Sequence, residues 1–135
     1  MATDPQFASV VQLAAAQLTG AAETSLTTPT TAVTVLTAGA NGTKIEEIVI
    51  HAIGASLTQA TSAGFVYVFI NDGAWHLYDT IPITAVTPSA TAIAPFRTSR
   101  TYTNLWIKSG STLRASNSVV GNQNFLMMSV FGGDY

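Results

Sequence analysis

Hydrophobic and polar residues alternate over short stretches of this chain, and Gly, Pro and Asn residues separate the stretches. Alternation with a period of two is typical of β-strands that bury one face, and the separating residues are typical of turns. About eight such stretches follow one another at fairly regular spacing. The pattern predicts an all-β fold, a β-sandwich or jelly roll of about eight short antiparallel strands.

The clearest predicted element is a hairpin in the middle of the chain. Its turn contains Asp72-Gly73, and glycine readily adopts the positive φ angles that tight hairpin turns require. A two-residue loop would pair Ile70 with Trp75, whereas a three-residue loop would pair Phe69 with Trp75 and mix the two faces. With the two-residue loop, the core face carries Val66, Val68, Ile70, Trp75 and Leu77, and the other face carries Phe65, Tyr67, Phe69, His76, Tyr78 and Thr80.

The segment before the first clear strand allows two interpretations. Ala14, Ala15 and Ala16 favour a helix by propensity, whereas Val10 and Val11 and the absence of charge argue against an exposed amphipathic helix. We interpret residues 9–18 as a strand. The predicted organisation is an N-terminal arm at residues 1–8 and a single β-sandwich domain at residues 9–135.

Three local irregularities carry further predictions. The alternation slips by one at Glu46-Glu47, which predicts a β-bulge in the strand that follows the Asn41-Gly42 turn. Pro82 interrupts an extended run and therefore predicts an edge strand or a bulged strand. Residues 97–103 are polar and are predicted to form a loop.

The composition favours a protein that works in an assembly. Only 9% of the 135 residues are charged, 47% are hydrophobic and the net charge is −2, so little repulsion keeps copies apart. The five basic residues are dispersed and outnumbered by acids, which argues against nucleic-acid binding. The absence of cysteine, of a basic N-terminal region and of a long apolar run predicts a protein made in the cytosol, with no membrane partner.

Catalytic patterns are weak. The acidic residues are not placed as a facing pair, and each of the two histidines, His51 and His76, stands alone in a strand. No Gly-x-Ser-x-Gly motif or glycine-rich phosphate loop is present. We therefore predict no enzyme activity, no catalytic residues, no cofactor and no metal site.

Five short motifs occur in an order that resembles a known group of proteins. They are TAGANG, WHLYDTIPIT, TPSAT, LRAS and the terminal GGDY, and they lie within residues 32–135. In this order they resemble small virion structural proteins of tailed bacteriophages. The resemblance implies a head decoration, or cement, protein on the outside of the capsid. It also implies binding to the major capsid protein and a homo-oligomer, expected as a trimer.

The polar-tipped aromatic face of the hairpin suits such contacts, because rings with polar tips are common at interfaces. The arm is expected to reach a neighbouring subunit. The predicted subunit or capsid contact residues are Phe65, Tyr67, Phe69, His76, Tyr78 and Phe7. The alternative is a receptor-binding or carbohydrate-binding module of a phage fibre or other appendage, since jelly rolls serve that role and aromatic rings stack on sugars.

Overall fold

The structure, a computed structural model, describes Ala8, residues 10–54 and residues 56–135. These residues form eight strands in two antiparallel sheets and one short 3₁₀ helix at Val120–Asn122. The prediction of an all-β sandwich with about eight strands is confirmed. The strands are β1 (Val10–Gln17), β2 (Val33–Thr37), β3 (Thr43–Ala52), β4 (Gly64–Asn71), β5 (Trp75–Ile83), β6 (Arg97–Ile107), β7 (Thr112–Asn117) and β8 (Leu126–Asp134).

The strand order is that of a jelly roll. One sheet has the order β1-β8-β3-β6 and the other has the order β2-β7-β4-β5. Every connection crosses from one sheet to the other except the β4–β5 hairpin. Two Greek keys therefore wrap one core, with β1 and β2 at one open side of the sandwich and β5 and β6 at the other.

The two ends of the sandwich differ in loop length. The loops at residues 18–32, 53–63, 84–96 and 118–125 lie at one end, which we call the long-loop end. The turns at residues 38–42, 72–74 and 108–111 lie at the other end, which we call the short-turn end. Long loops on a rigid scaffold are where binding surfaces are most often found.

Aliphatic residues from both sheets fill a single core. Alternation along each strand directs every second side chain inward, so β4 contributes Val66 and Val68 and β7 contributes Leu113 and Ala115. The fully buried members include Ile45, Ile48, Ile50, Leu105, Ile107, Leu126, Met128 and Val130. Burial of this aliphatic surface is the main force that holds the two sheets together.

The ambiguous N-terminal segment is a strand, as interpreted from the sequence. Ala14 and Ala16 of β1 pack against the core, whereas Leu13 and Ala15 face outward. This period of two outweighs the helix propensity of the three alanines, because tertiary packing routinely overrides propensity. The predicted arm and its Phe7 lie outside the described residues, apart from Ala8.

The predicted bulge in β3 is confirmed. The register shifts between Ile45 and Glu47 against both neighbouring strands, which leaves Glu46 as the extra residue. Gly132 of β8 lies opposite Ile45, and a Cβ at this position would come within 2.0 Å of the Lys44 carbonyl oxygen. Glycine is therefore required beside the bulge.

The hairpin has neither of the registers predicted from the sequence. Residues 72–74 form a three-residue loop, and Asn71 lies opposite Trp75. The register then shifts, because Val68 lies opposite Asp79 while Phe69 lies opposite Leu77, and Tyr78 is the bulged residue. The predicted core positions of Trp75 and Leu77 are therefore wrong, since these residues share the outer face of the sheet with Phe69.

The predicted polar loop at residues 97–103 is also wrong. These residues form the first part of β6, and Arg100 lies opposite Ile48 of β3. β6 is an edge strand, so its outer face is in water and its inward side chains lie at the margin of the sandwich. Polar residues are tolerated there without the cost of full burial.

The prediction from Pro82 is confirmed. β5 is both an edge strand and a bulged strand, and Pro82 lies opposite Phe65 on the outer face. Within the described part of the chain, no helix has the length and apolar character needed to cross a membrane.

Candidate interaction surfaces

The outer face of the β2-β7-β4-β5 sheet carries a row of aromatic rings. Val66 and Val68 belong to the core, so Phe65, Tyr67 and Phe69 point to the opposite face of β4. The Phe65 ring stacks on the Tyr67 ring at a centroid distance of 6.4 Å, and Tyr67 lies 6.4 Å from Phe69. Because each ring contacts the next, this aromatic row is a rigid surface.

Phe69 is the buried member of the aromatic row. Its side chain is 0% exposed, and the Trp75 ring meets it edge to face at a centroid distance of 5.8 Å. The Arg114 guanidinium lies 5.2 Å from the centre of the Trp75 ring, a cation–π contact that helps to cover Phe69. The sequence predicts Phe69 as a contact residue, but its burial leaves no surface for a partner.

Phe65 and Tyr67 are the predicted contact residues that the structure does bring together. Phe65 is 45% exposed, and Tyr67 is partly exposed beside it. Leu77, which the sequence places in the core, is exposed opposite Phe69 and extends the same surface. The aromatic row is therefore available for contact at its Phe65 end and along β5.

His76 lies at the hairpin turn and not in the aromatic row. Its Nε2 atom lies 3.0 Å from Oδ1 of Asp72, and the Lys108 Nζ atom lies 3.3 Å from Oδ2. The hydrogen bond with His76, followed by that with Lys108, lowers the pKa of the Asp72 carboxyl. His76 therefore contacts its own hairpin turn, and the Asp72–Lys108 ion pair joins this turn to the one at residues 108–111.

Tyr78 belongs to a polar cluster that joins β5 to β6. Its ring lies 5.8 Å from the ring of Tyr102, whose hydroxyl donates a hydrogen bond of 2.7 Å to Asp79. Arg100 Nε lies 3.5 Å from the same Asp79 oxygen, and its Nη2 atom donates to the Thr80 carbonyl oxygen at 3.3 Å. Burial, and then the Asp79 hydrogen bond, raises the pKa of Tyr102. These contacts tie one sheet to the other.

The long-loop end exposes one large aliphatic side chain from each of its four loops. Leu57 of the β3–β4 loop is 73% exposed, and each of the other three side chains is also well exposed. Apart from Glu23, the loop residues include no charged side chain. Exposed aliphatic groups without surrounding charge are typical of a protein-contact surface. The four residues are Leu26, Leu57, Ile93 and Val120.

Glu23 is fully engaged within its own loop. Its Oε2 atom accepts hydrogen bonds from the Thr30 and Thr31 N–H groups and from the Thr31 hydroxyl, at 3.0, 2.9 and 2.8 Å. Its Oε1 atom accepts from the N–H groups of Thr24 and Ser25. Burial alone would raise the pKa of Glu23, but the hydrogen bonds outweigh it and the pKa is lowered. This carboxylate therefore organises the loop and is not offered to a partner.

Two open grooves lie side by side at the long-loop end. One, of about 370 Å³, is lined by Leu57 and residues 89–95, and the other, of about 320 Å³, is lined by residues 51–54, 56–57, Gln59 and Pro95. Leu57 and Pro95 line both. The two grooves are concave surfaces of a size that apolar side chains of another protein could fill.

The residues of the TAGANG and GGDY motifs meet at the short-turn end. Asp134 accepts hydrogen bonds from the Thr43 hydroxyl and from the Gln12 side-chain amide. These bonds, with the Gly39 N–H, lower the pKa of Asp134. A Cβ at Gly39 would lie within 3 Å of that carboxylate, so glycine is needed there. Asp134 of the GGDY motif therefore joins β8 to β1 and β3, and Gly39 of the TAGANG motif leaves room for its carboxylate.

The described residues contain no group of three or more His, Asp or Glu side chains that could hold a metal ion. Glu23, Asp72, Asp79 and Asp134 each accept hydrogen bonds within the fold. Their arrangement stabilises loops, turns and sheet contacts.

Sequence reasoning missed the four aliphatic residues of the long-loop end. Each lies in a polar or small-residue segment and belongs to no periodic pattern. The available signal was the near absence of charge from four separate loops, which becomes informative once the topology gathers those loops at one end.

No protein-family model, curated protein or solved structure matches this chain. The resemblance to phage virion proteins stays a prediction from the short motifs.

Proposed function

We propose that this protein is a structural component of a bacteriophage virion. It binds the outside of the head as a decoration, or cement, protein and stabilises contacts between major capsid protein subunits. In this proposal it acts by binding and not by catalysis. It also associates with itself, and the resemblance implies three copies.

The observation that carries the proposal is the long-loop end. Leu57 and Ile93 line one groove, and no charged side chain of the loops surrounds them. A surface of this kind gains free energy when it excludes water, at about 25 cal/mol per Å² of apolar area buried. It has no charge to hold a polar ligand in one orientation. A protein surface is the partner that suits it.

The aromatic row offers a second contact. Phe65 and Tyr67 are held rigid by ring stacking, so little side-chain entropy is lost when a partner covers them. A cement protein needs several contacts, because weak contacts made together hold far more tightly than each alone. The loop end and the aromatic row together can supply them.

Binding to heads of the phage that encodes the protein tests the proposal. We expect the wild-type protein to co-sediment with heads and to appear on the outer shell in an electron-microscopy map. The double variant Leu57→Lys/Ile93→Lys should lose most binding, because two ammonium groups would be desolvated in the contact.

The matched control is Ser99→Lys/Thr101→Lys, which adds the same charge to exposed positions of β6. This control should bind as the wild type does. Absence of the protein from the virion map, or equal binding by the two double variants, would contradict the proposal.

A second candidate is supported by Trp106. Its side chain is 53% exposed, with the Tyr135 ring at a centroid distance of 5.0 Å and the Lys44 Nζ atom 5.7 Å from its centre. An exposed tryptophan beside a tyrosine is a feature of carbohydrate-binding surfaces. A receptor-binding module would select particular saccharides on a glycan array, and this selection would be lost in Trp106→Ala.

A further inference from the structure

The sandwich has four edge strands, and β1 is the least protected of them. Native edge strands are kept from pairing with other chains by charged residues, by proline, by bulges or by being short. β6 carries Arg97 and Arg100, β5 carries Pro82 and a bulge, and β2 is only five residues long with an irregular register. β1 has eight residues, VVQLAAAQ, and shows none of these features.

The backbone of β1 offers a regular row of unpaired groups. Leu18, which follows β1, donates its N–H to the Leu126 carbonyl oxygen at 2.8 Å. The β1–β8 register continues through this pair without a shift, so the even-numbered residues of β1 form the hydrogen bonds with β8. The odd-numbered residues, Val11, Leu13, Ala15 and Gln17, direct their N–H and C=O groups to the open side. Among the described residues, no strand pairs with that side.

The side chains of the same odd-numbered residues form an apolar strip on the outer face of the sheet. Val11 is 84% exposed and Leu13 is 67% exposed. Phe131 of β8 lies directly opposite Leu13 and is also exposed, so the strip continues onto the next strand. The nearest charged residue in this row is Glu47 of β3, on the far side of Phe131.

We infer that β1 pairs with β1 of a second copy of the chain. Two identical strands related by a two-fold axis run antiparallel, so their free N–H and C=O groups are self-complementary. With the axis at Leu13, the two Leu13 residues face each other and Val11 of each copy faces the smaller Ala15 of the other. The two β1-β8-β3-β6 sheets become one sheet of eight strands.

This inference does not depend on the proposed virion role. It concerns the symmetry of self-association, because a two-fold contact gives a dimer and not the trimer that the resemblance implies. The partner that we infer for the open edge of β1 is a second copy of the chain. The strand has no charge that would repel an identical strand and no residue that would block its hydrogen bonds.

Mass measurement in solution tests the inference with the full-length protein. Sedimentation or light scattering at micromolar concentration should give twice the chain mass of 14.1 kDa. Leu13→Pro should give monomers, because it removes an N–H from the open side of the strand while leaving the bonds to β8. Leu13→Lys should also give monomers, because lysine is a typical protecting residue of edge strands.

The matched control is Thr101→Lys, which adds the same charge to an exposed position of β6 at the opposite edge of the same sheet and should remain dimeric. Near-ultraviolet circular dichroism establishes that each variant is folded. A monomeric or trimeric wild type overturns the inference, as does a folded Leu13→Lys or Leu13→Pro variant that keeps the dimer mass. Capsid binding is a separate measurement, so the virion role and the dimer can fail independently, and a dimer mass would replace the three copies that the resemblance implies.

Discussion

The two open sides of the sandwich differ in the contacts that their edge strands make. On the β5–β6 side, Asp79 accepts a hydrogen bond from Tyr102, pairs with Arg100 and so connects the two sheets. On the β1–β2 side, neither strand contains a charged residue, and β1 presents unpaired backbone groups. One side is held by side chains of its own monomer, whereas the other has surface left for another molecule.

This difference shows how one fold can separate stability from assembly. Polar contacts between sheets stabilise the monomer, and they also place charge where an approaching strand would have to desolvate it. An uncharged edge adds less to the monomer but can join another strand. Substitutions on the two sides should therefore have different consequences.

The largest effect is expected for Asp79→Ala on the β5–β6 side. Loss of the carboxylate leaves the partly buried Tyr102 hydroxyl and the Arg100 guanidinium without their partner, which should lower the free energy of unfolding by about 2–3 kcal/mol. Urea unfolding at neutral pH measures it. Glu46→Ala is the control, because its carboxylate is in an exposed ion pair with Lys44 and should change stability by no more than about 0.5 kcal/mol. Equal effects of the two variants would show that the contacts of Asp79 between the sheets stabilise the monomer no more than an exposed ion pair does.

A somewhat smaller effect is expected for Glu23→Gln, in the loop that joins β1 to β2. The neutral amide keeps one acceptor oxygen but loses the hydrogen bonds to the other, so we expect a loss of about 2 kcal/mol near neutral pH. Chemical unfolding at fixed protein concentration gives the difference from the wild type.

The pH dependence of the same variant sharpens this prediction. The pKa of Glu23 is lower in the folded chain than in the unfolded chain, so the unfolded chain binds the proton first on acidification. Its contribution is present above the unfolded pKa of about 4.3 and is lost as the pH falls through the folded pKa. The gap between wild type and Glu23→Gln should therefore narrow in acid. A gap that stays constant or widens would contradict the assigned role.

Tyr102→Phe should cost about 1 kcal/mol of unfolding free energy, because it removes a single hydrogen bond while Asp79 keeps Arg100. Tyr78→Phe is the control, since the Tyr78 hydroxyl makes no hydrogen bond with any residue that the structure describes. Thermal unfolding of both variants compares them. An equal or larger loss for Tyr78→Phe would contradict the stabilising role of the hydrogen bond from the Tyr102 hydroxyl to Asp79.

The smallest effect on the monomer is expected for Val11→Lys on the β1–β2 side. Val11 is an exposed side chain, so the free energy of unfolding of the monomer should change by no more than about 0.5 kcal/mol. Ala14 lies on the opposite, inner face of the same strand and packs against the core. Ala14→Lys should therefore strongly lower the free energy of unfolding. Similar melting temperatures for the two variants would show that β1 does not have distinct inner and outer faces.

Much of the fold could be predicted from the sequence because alternation and turn residues are local signals. The slip at Glu46-Glu47 predicts the bulge in β3, and Pro82 predicts an edge strand or a bulged strand. The register of the hairpin could not be predicted, because the bulged residue Tyr78 packs against Tyr102 of the other sheet, a long-range contact that no local pattern encodes. The strand at Arg97 was missed for a related reason, since only its pairing with β3 makes a polar segment extended.

The contact surfaces were harder to predict than the strands. The sequence places Phe65 and Tyr67 on one face, and this holds because β4 alternates regularly. It cannot show that Trp75 and Arg114 cover Phe69, because this depends on the hairpin register and on the pairing of β4 with β7. Nor can it show that His76 contacts Asp72, because this depends on the conformation of the turn. The aliphatic residues of the four long loops become a surface only through the topology.

The central position of β8 has a consequence for biosynthesis. β8 lies between β1 and β3, and Gln12 bonds to Asp134 across 122 residues of sequence. A growing chain must therefore keep β1 unpaired on the ribosome until nearly all later strands have been translated. Since long-range pairings form slowly, folding should take milliseconds to seconds, with β1 accessible to chaperones in that interval.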